Sequence, residues 1–152
     1  MNRKVNIALG IIIALCSIVA IFVLFAGAIQ GSQGYSETGN VFETMFGNTD
    51  AELNPVPWLI VAFVFECVGA VTGLTAGIFT GKISSAFYFL TLILLAAAGI
   101  LFLNTTKLYY AVNAYPGPDT FSLGAGPITT AVFAFIGALL ALYGGYSNAK
   151  SR

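Results

Sequence analysis

The chain contains no histidine and two cysteines, and charged residues make up only 8% of its 152 positions. Without histidine, imidazole proton relays, His-metal ligation and Ser-His or Cys-His nucleophiles cannot be built. Cys16 and Cys67 both lie inside apolar runs, where cysteine serves as a small buried hydrophobe rather than a disulfide partner. No glycine-rich phosphate loop with its following lysine is present, and no G-x-G-x-x-G follows a strand, because no strand is expected. Six Lys and Arg against six Asp and Glu leave a formal net charge of zero and no basic groove for nucleic acid. The expectation is a non-enzymatic protein with no cofactor and no metal site.

What the chain has instead is apolar length. It is 58% hydrophobic with a mean hydropathy of +0.90, far from the composition of a water-soluble domain. Four segments, residues 5–29, 58–80, 83–103 and 127–146, are long enough to span a bilayer. The expected fold is therefore an all-α, integral membrane four-helix bundle forming one domain over residues 1–152, with the lipid bilayer as its solvent. Ala26-Gly27-Ala28 resembles a signal-peptidase site, but the preceding apolar run exceeds the 7 to 15 residues typical of a signal peptide, so the first span is read as a retained helix.

Charge sets the expected orientation. Arg3, Lys4, Lys82, Lys150 and Arg152 fall on one side of the four spans; Glu37, Glu43, Asp50, Glu52 and Asp119 fall on the other, with Lys107. The positive-inside rule then places both termini and the Lys82 turn in the cytoplasm of a cell-membrane protein. Trp58, Tyr109, Tyr110 and Tyr115 are expected as anchors at the outer interface, and Tyr143 and Tyr146 at the inner one.

In the first outer loop a Gly/Ser-rich stretch gives way to "NVFETMFG". Asn40 is placed to cap a short amphipathic helix with Glu43 at the capping-box position, Val41, Phe42, Met45 and Phe46 on its apolar side, and Gly47 at its end. The loop's carboxylates match no calcium-loop spacing and are read as a solvated acidic face. In the second outer loop the third helix is expected to run on through Tyr109, Pro116-Gly117-Pro118 to turn the chain, and Pro127 to open the fourth helix.

Glu66 interrupts the second span, and an ionised carboxylate in hydrocarbon is costly without a partner. At about 1.5 Å per residue it lies about 12 Å below Trp58, near the middle of a hydrocarbon core of about 30 Å. Counting the same depth along the other spans reaches Phe22, Ala96 to Gly99, and Phe135, none of them cationic. Gly69, Gly73, Gly77 and Gly81 recur at four-residue spacing on the same helix, a glycine zipper against which another backbone can pack. Glu66 and Gly73 project within about 20° of each other, so Glu66 is expected to face that seam. Gly137, Ala141 and Gly145 repeat the spacing on the fourth span and are the expected partners.

Two functions follow. The first is a structural or accessory subunit, packed with other membrane subunits or as a homo-oligomer, in which a protonated Glu66 donates one hydrogen bond to a helix carbonyl. The second is a small proton- or cation-coupled transporter or channel component in which Glu66 titrates or pairs with another subunit. Four spans, one intramembrane glutamate and a glycine seam resemble the small multidrug transporters in outline, though those have tighter loops and little charge bias. Loop sizes resemble those of claudin-like tetraspan proteins, without the cysteine pair of their first outer loop. No family is assigned on these outlines.

Overall fold

A computed structural model describes residues 2–31, 38–49, 53–113 and 121–150. Glu37, Asp50, Glu52, Tyr115, Asp119 and the Pro116-Gly117-Pro118 turn lie outside the described residues. Four helices are long and apolar enough to cross a membrane: α1 (Arg3–Val23), α3 (Pro57–Ile78), α4 (Gly81–Leu103) and α6 (Ala125–Ala149). Between them lie β1 (Gly27–Gly31), β2 (Thr38–Asn40), α2 (Val41–Phe46), α5 (Thr105–Asn113) and β3 (Phe121–Leu123).

The long helices neighbour one another in the ring α1, α3, α4, α6 and back to α1. Each turns a narrow stripe inward. On α1 the buried positions include Asn6, Gly10, Ile13, Ser17 and Ala20, and on α3 they are Leu59, Ala62, Glu66, Gly69, Thr72, Gly73, Ala76 and Gly77. Alternating steps of three and four residues keep one seam facing its neighbour along a helix. The stripes are rich in small and hydroxyl residues, while the outward positions carry large hydrocarbons such as Val71, Ile78, Ile93 and Leu139. Large apolar side chains pointing out over the length of four helices suit a hydrocarbon surrounding rather than water.

α1 ends at Val23, short of residue 29, where the apolar run ends. The chain then straightens into β1, the centre of a three-stranded antiparallel sheet in the order β2-β1-β3, with Ile29 opposite both Thr38 and Leu123. The expectation of a strand-free chain is thus corrected. Ala28 and Ile29 are fully buried, and β1 can lie this close to the start of α6 because glycines face it. A methyl group on Gly126 would stand 2.8 Å from the Ala26 carbonyl oxygen and 2.8 Å from Val41 Cγ2.

The short helix α2 forms as expected: the Asn40 side chain accepts from the Glu43 N–H at 2.8 Å, and Gly47 closes the helix at φ +78°. Val41 and Met45 are buried against Leu24, Ile29, Val56, Leu59 and Phe102, so α2 closes over the end of the bundle.

α4 does not run on through Tyr109. It stops at Leu103, and α5 begins at Thr105 after a break at Asn104. Two side chains bond backward onto the last turn, Asn104 Nδ2 to the Ile100 carbonyl at 2.8 Å and Thr105 Oγ1 to the Phe102 carbonyl at 2.6 Å, offering the backbone an alternative to continued helix. α5 is braced by a reciprocal pair: Asn54 N–H donates to Asn113 Oδ1 at 2.7 Å, and Asn113 Nδ2 donates to the Asn54 carbonyl at 3.3 Å. α6 opens at Ala125, two residues before Pro127. Tyr109, expected as an interface anchor, is only 3% exposed and packs inside this cap, whereas Trp58 is 59% exposed.

Gly126→Val should cost about 1–3 kcal/mol by overpacking against Ala26 and Val41. Gly27→Ala meets nothing within 4 Å and should stay within about 0.5 kcal/mol of the parent. Unfolding in mixed detergent micelles checks both.

Candidate functional site

The glycine rows meet different partners from those their spacing suggests. Gly73 and Gly77 face α1, where a methyl on Gly10 would lie 2.8 Å from the Gly73 carbonyl oxygen and 3.0 Å from the Gly77 α carbon. Backbone therefore touches backbone, a contact that only glycine permits on both sides. Gly69 instead receives Leu95 of α4, and Gly137 on α6 receives the same Leu95 from the other side. Gly145 lies under the Phe89 ring, and Ala141 is fully buried. The α6 row thus packs on α4, which corrects its expected place against the α3 seam. Gly81 faces open space at φ +67° and serves the α3–α4 turn.

Glu66 is 0% exposed and points into the bundle, as its helical phase requires. Phe22, the residue expected at the same depth on α1, is 69% exposed and faces outward. Ser17, also fully buried, occupies the facing position instead, because α1 crosses α3 in the register fixed by Gly10. The Ser17 hydroxyl faces the Glu66 carboxyl, yet neither Oε1, Oε2 nor Ser17 Oγ reaches full hydrogen-bond geometry with any group. Cys16 and Cys67, next in sequence to Ser17 and Glu66, are free and only partly buried. The expected single bond from Glu66 to a helix carbonyl is not formed. Among the described residues no three His, Cys, Asp or Glu side chains gather in a metal-holding group.

Below Glu66, two hydroxyls bridge α3 and α4. Thr91 Oγ1 stands 2.8 Å from Thr72 Oγ1 and 2.9 Å from the Phe87 carbonyl, and its one proton serves one of them at a time; Thr72 Oγ1 donates to the Gly69 carbonyl at 3.1 Å.

At the end of the bundle that holds the α3–α4 turn, one side chain gathers all four long helices. Asn6 Nδ2 on α1 stands 3.0, 3.2 and 2.6 Å from the carbonyls of Ala76, Gly77 and Phe79, and 3.2 Å from Ser84 Oγ on α4. Its two protons are shared among these four acceptors. Ala76 and Gly77 belong to the last turn of α3, whose carbonyls have no partner within the helix. Asn148 Nδ2 on α6 donates to Asn6 Oδ1 at 2.9 Å, Tyr88 Oη donates to the Asn6 carbonyl at 3.0 Å, and Ser84 Oγ donates to the Ala76 carbonyl at 2.7 Å. Ser85 Oγ adds a bond to the Gly145 carbonyl at 2.8 Å. None of these residues stood out in the sequence; the available signal was the pair of asparagines, Asn6 and Asn148, on the buried stripes of two spans.

Four long apolar helices with inward polar stripes and outward hydrocarbon define a small integral membrane protein of the four-helix-bundle class. The chain matches no protein-family model, no curated protein and no solved structure in comparisons with each.

Asn6→Ala should destabilise the bundle by about 1–3 kcal/mol, because the buried Gly77 carbonyl loses its side-chain donor and Asn148 loses its acceptor, while Ser84 still serves Ala76. Asn148→Ala, which leaves those carbonyls served, should cost less. Denaturation in mixed micelles ranks the two, and an equal effect would remove Asn6 from the centre of the cluster.

Proposed function

We propose that the protein is a non-enzymatic structural or accessory subunit of a membrane assembly, its body held together by glycine-zipper contacts of Gly10 with Gly73 and Gly77. The observation that supports this is the closed end beyond Glu66. Leu24, Ile29, Met45, Val56, Leu59 and Phe102 are all 0% exposed there. Three buried hydroxyls at that level bond to backbone, Thr130 to the Ala20 carbonyl, Thr105 to Phe102 and Thr44 to Asn40, while Thr106 Oγ1 is buried without a bond. A transporter needs a polar route to both sides, and hydrocarbon of this depth opposes one. An accessory subunit needs only its surfaces.

In this reading the end that carries Arg3, Lys4, Lys82 and Lys150 faces the cytoplasm, and the sheet with α2 and α5 lies outside. The cell membrane is the expected location, with other membrane subunits or further copies of the chain as partners. A second reading, a proton- or cation-coupled transporter component, is favoured by one observation: Glu66 and Ser17 are buried without a hydrogen bond, and intramembrane carboxylates often serve transport.

Reconstituted into sealed vesicles under a pH gradient, the protein should move protons no faster than protein-free vesicles, and in mild detergent it should migrate within an assembly larger than one chain. Proton movement that disappears in Glu66→Gln would overturn the accessory reading in favour of the transporter.

A further inference from the structure

The polar groups of the interior are distributed unevenly about Glu66. Toward the cap, the buried hydroxyls of Thr130, Thr105 and Thr44 are each bonded to a carbonyl of the backbone and are set singly in the hydrocarbon plug described above. Toward the other end the polar groups form a series: Ser17 and Glu66, then the Thr72–Thr91 hydroxyl pair, then Asn6, Ser84, Tyr88 and Asn148. From Glu66 to Thr72 the rise along α3 is about 9 Å, and from Thr72 to Ala76, whose carbonyl joins the Asn6 cluster, about 6 Å. Ile13 and Leu95, both fully buried, pack beside these groups, so a proton crosses each step only as the packing opens.

The titratable groups around Glu66 leave it alone in charge. α1 carries Cys16 next to Ser17, α3 carries Cys67, and α4 carries only Lys82 and Tyr88, both near the Asn6 end. On α6 the titratable groups are Tyr143 and Tyr146, both exposed toward that same end, with Lys150 beyond the helix and over the Tyr146 ring. Arg3 and Lys4 open α1 at the Asn6 end, while Lys107 belongs to α5 in the cap.

We propose that Glu66 and Ser17 form a proton-binding site within the bundle that exchanges with the aqueous phase at the Asn6 end alone. Its ligand is a proton: the carboxyl oxygens and the Ser17 hydroxyl are fully buried, lack other partners and have no cation beside them. The proton enters and leaves by the same end, so the site registers the pH of one compartment without carrying charge across. This holds whether or not the chain is an accessory subunit, and flux measurements separate the two ideas.

The test uses the full-length protein in phosphatidylcholine vesicles selected on a C-terminal affinity tag, so that the Asn6 end faces the bath. Infrared difference spectroscopy follows the carboxylic-acid C=O band while the bath is stepped between about pH 5 and about pH 9, bracketing the range over which buried carboxyls titrate. The expected result is a band that falls as the bath becomes alkaline, is missing in Glu66→Gln, and ignores a pH step confined to the vesicle lumen. Thr72→Val with Thr91→Val, which keeps side-chain shape while removing both hydroxyls, should slow the response about tenfold or more. A band unchanged by steps on either side would mark Glu66 as a permanently neutral structural group and overturn the proposal. A response to the lumen alone, or equally to both sides, would also overturn it.

Discussion

The close approach of α1 to α3 is the constraint on which the rest of the bundle depends. Gly10 lies against the backbone of Gly73 and Gly77, and this proximity lets Asn6, one turn earlier, reach the carbonyls at the end of α3. In water those carbonyls could be hydrated; within a bilayer an unserved carbonyl costs several kcal/mol. Glycine supplies the distance and asparagine supplies the donor, and neither works without the other. Asn148 and Tyr88 then tie α6 and α4 to Asn6 itself, so that one side chain fixes the relative positions of four helices.

The same register determines the surroundings of Glu66. Two turns along α1 from Gly10, it brings Ser17 to the carboxyl and turns Phe22 outward. Helix packing without a hydrophobic driving force relies on close van der Waals contact and on internal hydrogen bonds, and the bundle uses both, with Leu95 seated between Gly69 and Gly137. The cap adds a conventional apolar core in which Met45, Ile29 and Phe102 are fully buried. The Asn6 hydrogen-bond cluster thus closes one end of the bundle and the apolar cap the other, with a second apolar cluster of Ile13, Tyr88 and Leu95 between Asn6 and Glu66.

Much of the fold was legible because apolar length and charge asymmetry are properties of the chain itself. The burial of Glu66 was readable from its phase relative to Gly73, and α2 from the spacing of Asn40, Glu43 and Gly47. The partners of the glycine rows were not readable. Spacing identifies a ridge but not which neighbour lies on it, and Gly10, a single glycine without a repeat, carries no such signal although it makes the backbone-to-backbone contact of α1 with α3. Asn6 was hidden for a related reason: its acceptors lie 70 to 78 positions away, and no local pattern reports them. The strands escaped because Gly27–Gly31 continues the apolar run of α1, and its pairing with Thr38–Asn40 and Phe121–Leu123 is a tertiary choice. The break at Asn104 turns on two side chains bonding backward, where hydropathy alone continues smoothly.

The contact between α1 and α3 can be observed without altering the protein. With glycine α carbons labelled with carbon-13 in lipid bilayers, solid-state NMR correlation spectra should show a direct cross-peak between Gly10 and Gly77, whose backbones are in van der Waals contact. That peak is expected at short mixing times. Its absence, in a spectrum where both glycines are assigned and contacts of similar length elsewhere are present, would contradict the packing from which the Asn6 cluster and the placement of Glu66 both follow.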